Sequence, residues 1–461
     1  MRLMPYTILL FALLVLNSLS ANLFAATQPA ERPNFIVFIA DDMAWDDCGA
    51  YGHPKIQTPH LDQLAADGMK FNHAYLTCSS CSPSRASIIT GRYPHNTGAH
   101  QLHLPLPESQ VTFVEKLKEA GYYTASAGKW HMGKPTESKF NHVTTKLNQW
   151  VPTLQQRPKD KPFFMWFAFT DPHRPYEQNI IERPHTNEDV IVPPYLPDTL
   201  EVRHDLALYY DEITRLDGVV GRVRDELKNQ GVSSNTVIVF LSDNGRPFPR
   251  CKTTVYDSGI RTPWIVTWPK QIKPKAVCDS LISSVDLAPT ILDLAGLHID
   301  ETFQGQSFKS LLQNPGASTR THVFAEHNWH DFEDFGRAVR TPRYKYIRNF
   351  YTDIPGTPPA DAVRSESFVK MRQLRDENKL TKDQKSCFVS PRAAEELYDV
   401  ENDPHELNNL AGQKDYQKIQ QELRSALDQW QAETHDRLPR NRRPDEFHRE
   451  TGERLPAFKK K

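Results

Sequence analysis

The segment Asn34-Phe35-Ile36-Val37-Phe38-Ile39-Ala40 is an almost unbroken apolar run that stops abruptly at Asp41-Asp42. A short run without polar alternation fits a strand buried on both faces, the arrangement found in parallel sheets covered by helices on either side. The pattern returns at Thr236–Leu241, which ends in Ser242-Asp243-Asn244-Gly245, and at Phe163–Phe169, which ends in Asp171-Pro172-His173. Between them, Leu216, Val220, Val223 and Leu227 form an apolar stripe at helical spacing and predict a helix over roughly Leu208 to Asn229. Strands alternating with helices predict an α/β domain with a mostly parallel sheet. In such sheets ligands bind beyond the carboxyl ends of the strands. Asp41, Asp42, Asp243, Asn244 and His173 are therefore expected along one edge.

A second segment carries a nucleophile. In Cys81-Ser82-Pro83-Ser84-Arg85 a proline suited to a first helical turn follows the cysteine closely, and Ala86-Ser87-Ile88-Ile89 can continue the helix. Cys81 would sit at the helix N-terminus, where free N–H groups and the dipole favour an anion, with Arg85 adding a fixed positive charge. The strand-end set of three aspartates and one asparagine is a hard, oxygen-only donor set, suited to Ca²⁺ or Mg²⁺ rather than zinc or copper.

Beyond about residue 320 the pattern changes. Arg343–Arg348 alternates like a half-exposed strand, Glu396–Val400 is a second strand candidate, and Gln417–Trp430 has helical character. We expect a catalytic α/β domain over residues 27–320, a smaller α+β subdomain over 321–436 and an extended or mobile tail over 437–461. At the other end, Met1-Arg2, the apolar stretch from Ile8 to Leu19 and Ala25-Ala26 predict a signal peptide over residues 1–26, and so a periplasmic or secreted protein. No later segment is long and apolar enough to span a bilayer. The formal net charge of -1 argues against nonspecific nucleic-acid binding. The six cysteines, at 48, 78, 81, 251, 278 and 387, show no zinc-type or paired spacing.

Cys81, Pro83, Ser84, Arg85, Thr90 and Gly91 together resemble the signature of the sulfatases, whose cysteine is oxidised after translation to formylglycine. The resemblance runs from about Arg32 to His435 and is greatest to the heparan N-sulfatase (sulfamidase) branch, through Asp171-Pro172-His173-Arg174, Asp243-Asn244-Gly245 and Trp430-Gln431. It implies an alkaline-phosphatase-like fold, a formylglycine-generating enzyme as maturation partner, and one Ca²⁺ held by Asp41, Asp42, Asp243, Asn244 and the converted residue 81. It also implies the chemistry: one hydroxyl of the hydrated aldehyde attacks sulfur, and the second lets sulfate be expelled. By the same resemblance, Arg85 orients residue 81, Lys129 binds the nucleophile or sulfate, and His131 is the base for sulfate expulsion. His173 faces the leaving group, and Lys252 is a cation on sulfate. Lys252 is a departure, because the sulfamidase carries arginine there.

Substrate contacts in this family come from loops near residues 95 to 105 and 325 to 340. Here these loops hold His95, His100, His103, His327, Trp329, His330 and Arg337, and we take His95, His103, His330 and Arg337 as substrate-binding. The expected activity is hydrolysis of sulfate esters or sulfamates of sulfated oligo- or polysaccharides, of ulvan, other algal or heparan type. Two alternatives stand beside it: a phosphate or phosphonate ester hydrolase on the same sheet, and a catalytically inactive glycan-binding protein.

Overall fold

The computed structural model describes residues 32–458; the stretch read as a signal peptide lies outside the described residues. Among the described residues, fourteen strands occur in three sheets. The central sheet contains β1 (Asn34–Ala40), β2 (Met69–Phe71), β4 (Tyr123–Gly128), β5 (His142–Thr144), β6 (Phe163–Ala168), β7 (Thr236–Ser242), β8 (Ile265–Thr267) and β9 (Ala276–Cys278), in the order β5-β4-β6-β1-β7-β8-β2-β9. β3 (Ala74–Tyr75) and β10 (Ile282–Ser283) form a small parallel pair. All central pairings are parallel except those of β8 with β7 and β2.

β1 lies in the middle, with Ile36 opposite both Met165 of β6 and Ile238 of β7. Its side chains divide between two cores. Ile36, Phe38 and Ala40 pack with the long helix Leu200–Asn229, whereas Phe35, Val37 and Ile39 pack with Ala86, Ile88 and Ile89 of the helix Cys81–Thr90 and with Leu287, Ile291 and Leu292. Each such fully buried Val, Ile or Phe contributes about 1.5–3 kcal/mol. That stabilisation is ample to hold Asp42 at the strand's end in the left-handed region (φ 77°), where strain costs on the order of 1–3 kcal/mol.

The long helix begins earlier than the apolar stripe predicts, because the Thr199 side chain caps it by accepting from the Val202 N–H. Val202 and Leu206 then extend the buried face by helical spacing. Helix Cys81–Thr90 follows Ser80 as N-cap, ends at Gly91 in the left-handed conformation (φ 59°), and is buried at every residue.

The third sheet is antiparallel, in the order β11 (Val323–His327), β12 (Gly336–Arg340), β13 (Tyr344–Asn349) and β14 (Glu395–Asp399). Leu423, Leu427 and Trp430 of helix Gln417–Glu433 pack onto it. The chain between β13 and β14 returns to the central layer, where Ala360, Val363, Phe368 and Met371 join the core that contains Ile36 and Phe38. Residues 437–458 contain only an isolated bridge, Phe447 to Arg454, and a short terminal turn. No helix among the described residues is long and apolar enough to cross a membrane.

Candidate active site

Three strands end together because backbone hydrogen bonds tie their ends: Asp41 N–H donates to Asp171 O (2.9 Å), and Asp243 N–H donates to Ala40 O (3.1 Å). The Asp42 turn is anchored from the side. Tyr209 of the long helix donates to Asp47 Oδ2 (2.7 Å), and its hydroxyl also lies 3.1 Å from Ala44 N. Arg246 pairs with Asp47 at 2.8 Å. These contacts fix Asp41, Asp42, Asp243 and Asn244, all fully buried, at one edge.

Cys81 comes to this edge from its helix. Its Sγ lies 3.8 Å from Asp42 Oδ1, and one ligand atom each of Asp41, Asp42, Cys81 and Asp243 lie within 4.8 Å of one another. Arg85 Nε donates to Asp243 Oδ2 (2.7 Å), and its Nη1 donates to the Lys129 carbonyl (2.8 Å). Lys129 Nζ pairs with Asp41 Oδ2, and Lys252 Nζ donates to Asp42 Oδ2 at 2.8 Å. Gly128 (φ 95°) permits the approach of Lys129, since a Cβ there would collide with the Ala168 carbonyl.

Among the described residues, Asp41 Oδ1 and Asn244 Oδ1 are buried and have no hydrogen-bond partner. Oxygen donors left unsatisfied next to two further carboxylates fit a hard divalent cation, and Asp41, Asp42, Asp243 and Asn244 are the residues that would hold it. Burial raises the Asp41 carboxyl, but Lys129, His173, Arg85 and Lys252 outweigh it and hold it below the usual carboxylate range. Burial pushes the Cys81 thiol well up, against the pull of Lys129 and Lys252. An unmodified thiol here is therefore protonated and a weak nucleophile.

The histidines divide into two groups. His131 Nε2 lies 2.8 Å from His103 Nδ1, and burial, with Lys129, Arg85 and His103, pushes His131 well below its ordinary value, which favours the neutral ring. His173 lies between two cis peptide bonds, Asp171–Pro172 and Arg174–Pro175; its Nδ1 is 2.5 Å from Arg174 O and its Nε2 is 3.9 Å from Asp42 Oδ2. Bidentate pairs of Arg174 with Asp205 (2.6 and 2.8 Å) and Arg215 with Asp171 (2.8 and 2.8 Å) hold that segment. His330 Nδ1 bonds Ser80 Oγ (2.7 Å) at the cap of the nucleophile helix, and Lys252, His103 and His131 lie near enough to help push it below its ordinary value, after burial.

His95 and Arg337 do not join this group. His95 Nδ1 is 2.5 Å from Glu326 Oε2, and Arg337 donates to Asp436 at 2.7 and 2.8 Å and to the carbonyls of His327 and Gly336. Arg337 is only 1% exposed and is the buried partner of Asp436. His95, packed edge-on to Trp430, belongs to the same network. His327 is likewise buried. Trp329 stacks under Arg443 (3.5 Å) and donates to Pro444 O (3.0 Å), which draws residues 443–444 to the loop that carries His330. The sequence reading missed Asp361, whose Oδ2 lies 3.7 Å from His173 Nε2. Its context, Pro358-Pro359-Ala360-Asp361, reads only as a helix start with an acidic first turn.

The family profile described as "Sulfatase" matches residues 33–145 and 134–297, and the one described as "N-sulphoglucosamine sulphohydrolase, C-terminal" matches residues 250–358. An ulvan-active sulfatase of Formosa agariphila is 34% identical over 459 residues, which span 87% of this chain and 75% of the relative. Human N-sulphoglucosamine sulphohydrolase is 31% identical over 463 residues, spanning 88% and 91%. A solved structure in complex with its substrate D-glucosamine-2-N,6-O-disulfate matches at TM-score 0.67 and 23% identity, over 89% of this chain and 99% of the other. The chain belongs to the sulfatase family. Its activity is that of a sulfuric ester hydrolase, built on the alkaline-phosphatase-like sheet described above.

Proposed function

We propose that this protein is an exported sulfatase that removes sulfate from sulfated glycan fragments, using formylglycine made from Cys81 and one bound Ca²⁺. The observation that carries this reading is the placement of Cys81 Sγ, 3.8 Å from Asp42 Oδ1, among the unsatisfied donors Asp41 Oδ1 and Asn244 Oδ1. A thiol that burial keeps protonated is poorly suited to attack, which favours a converted residue. Cys81 is 1% exposed, so the formylglycine-generating enzyme acts before the chain folds. When bound, the cation supplies Lewis-acid polarisation of a sulfate oxygen, and the hydrated aldehyde supplies the attacking hydroxyl.

The remaining roles belong to this chain's own side chains. Lys129 and Lys252 flank the nucleophile and neutralise charge on the sulfate oxygens. Arg85 fixes residue 81 against Asp243 and the Lys129 backbone. His131, neutral and hydrogen-bonded to His103, takes the proton that sulfate release requires. His173 presents Nε2 to the leaving atom while the Arg174 carbonyl holds Nδ1. His103, exposed beside His131, lines the approach, His330 braces the Ser80 cap beneath it, and the relatives that act on ulvan or are named for N-sulphoglucosamine support a glycan as substrate. A two-metal phosphatase reading is disfavoured, because the Lys252 ammonium is bonded to Asp42 where a second cation would have to share it.

Inorganic sulfate release from N-sulfoglucosamine, O-sulfated heparan fragments, and ulvan, carrageenan and fucoidan oligosaccharides tests the reading. Release from at least one is expected. Release from none, with phosphate liberated from phosphate monoesters instead, would overturn it.

A further inference from the structure

We propose that Asp361 is a specificity-determining residue that accepts a hydrogen bond from a hydroxyl group on the sugar, next to the sulfate being removed. This rests on the sulfatase reading above and names what the far side of the same pocket requires of its substrate. Asp361 is supplied by the segment that returns to the central layer, where Ala360 and Val363 are packed in the core with β1. Its backbone is held in place by Ala360 N–H, which donates to Asp331 Oδ2 (2.9 Å). Its Oδ1 accepts from Ala362 N–H (2.8 Å), which fixes the carboxylate plane.

The other oxygen is left over. Asp361 Oδ2 is buried and has no hydrogen-bond partner among the described residues. It faces His173 Nε2 at 3.7 Å, and one atom each of Asp42, His173 and Asp361 lie within 4.8 Å of one another. These separations exceed a hydrogen bond, so the three groups surround a position instead of pairing with each other. Lys252 Nζ donates to Asp42 Oδ2 at 2.8 Å, and no hydrogen bond joins it to Asp361 Oδ2. A cation as occupant is opposed by the Lys252 charge, which lies near enough to lower the Asp361 carboxyl.

The pocket is therefore polar in a directed sense. Arg85, Lys129 and Lys252 stand at residue 81, where the sulfate would bind, and Asp361, with Asp331 behind it, stands at the leaving side. A donor on the ring meets an acceptor there. A second sulfate or a carboxylate next to the leaving atom would meet like charge and be rejected.

Steady-state kinetics of wild type, Asp361→Asn and Asp361→Glu separate this role from a structural one. The probes are N-sulfoglucosamine and glucosamine 6-O-sulfate, which carry ring donors, and 4-nitrophenyl sulfate, which carries none. For Asp361→Asn, kcat/KM on the sugar sulfates should fall about tenfold to hundredfold more than on 4-nitrophenyl sulfate, with Asp361→Glu partly restoring the sugar activity. Equal losses on both substrate types, or no loss on the sugars, would overturn the assignment. Wild-type turnover of the aryl sulfate alone would refute the role of Asp361 while leaving the sulfatase chemistry intact; turnover of none of the three, together with no sulfate release from the oligosaccharide panel above, would refute both.

Discussion

Two of the buried charge clusters among the described residues are finished differently. In the first, His95, Glu326, Arg337 and Asp436 join the third sheet to the end of helix Gln417–Glu433. Asp436 accepts from Arg337 and Gln431, Glu326 accepts from His95 and Asn328, and none of their side-chain atoms is buried without a partner. The second, at the carboxyl edge of the central sheet, is incomplete. Asp41 Oδ1, Arg85 Nη2, His131 Nδ1, Asn244 Oδ1 and Asp361 Oδ2 are all buried without a hydrogen-bond partner among the described residues. A buried polar atom without a partner costs about 1–3 kcal/mol, so a cluster of five points to groups that the folded chain itself does not supply. Closed networks hold the fold, and open ones wait for a ligand.

Substitutions should therefore separate activity from stability. The largest effect is expected at the nucleophile: Cys81→Ala should lower turnover by at least ~10⁴-fold with the melting temperature nearly unchanged, checked by sulfate release and calorimetry on the same preparation. Lys129→Ala comes next, with kcat down by about 10²–10³-fold, as for loss of one charge-stabilising donor. Across the divide, Arg337→Ala strands a buried Asp436 carboxylate and should destabilise the fold by about 3–5 kcal/mol in denaturant titration, while any protein still folded keeps its kcat. An Arg337 variant that is stable but inactive would erase the distinction between the clusters.

The smallest effect concerns His327, whose carbonyl accepts from Arg337 and whose ring burial pushes down to about 4. The folded protein keeps this ring neutral, whereas the unfolded chain takes up a proton near the ordinary value. Its contribution is thus fully present above about pH 6.5 and is lost as pH falls toward about 4. Against His327→Asn, the wild-type advantage in melting temperature should narrow over that acid window. A constant difference would mean that the ring is not buried neutral.

The same contrast marks what could be read from the sequence. β1, β6 and β7 were legible because a strand buried on both faces leaves an unbroken apolar run, and the turn that follows each one carries its polar ligands. The helix at Cys81 was legible through Pro83 and the closing Gly91. The burial of His95 and Arg337 was not legible, because residue type alone cannot tell an arginine that binds a substrate from one neutralised by Asp436, about a hundred residues away. Asp361 left no signal, because its role depends on the chain crossing back from the third sheet to the central layer, which no local pattern encodes. The early start of helix Leu200–Asn229 was hidden by polar residues around Val202 and Leu206 and by a cap made from Thr199.

The ion is tested by removing it. Chelation followed by elemental analysis should show close to one calcium lost per chain, together with a lower melting temperature, since the freed carboxylates Asp41, Asp42 and Asp243 repel one another. Substitution of Asp243→Ala should remove the calcium and free Arg85 Nε, while Arg85 Nη1 keeps its bond to the Lys129 carbonyl.

The most direct test is mass spectrometry of the peptide bearing residue 81, run on preparations made with and without a formylglycine-generating enzyme and compared with their sulfate-release rates. Turnover should scale with the fraction of residue 81 in the aldehyde form and extrapolate to zero for the thiol. Full turnover by protein whose residue 81 is entirely cysteine would contradict it.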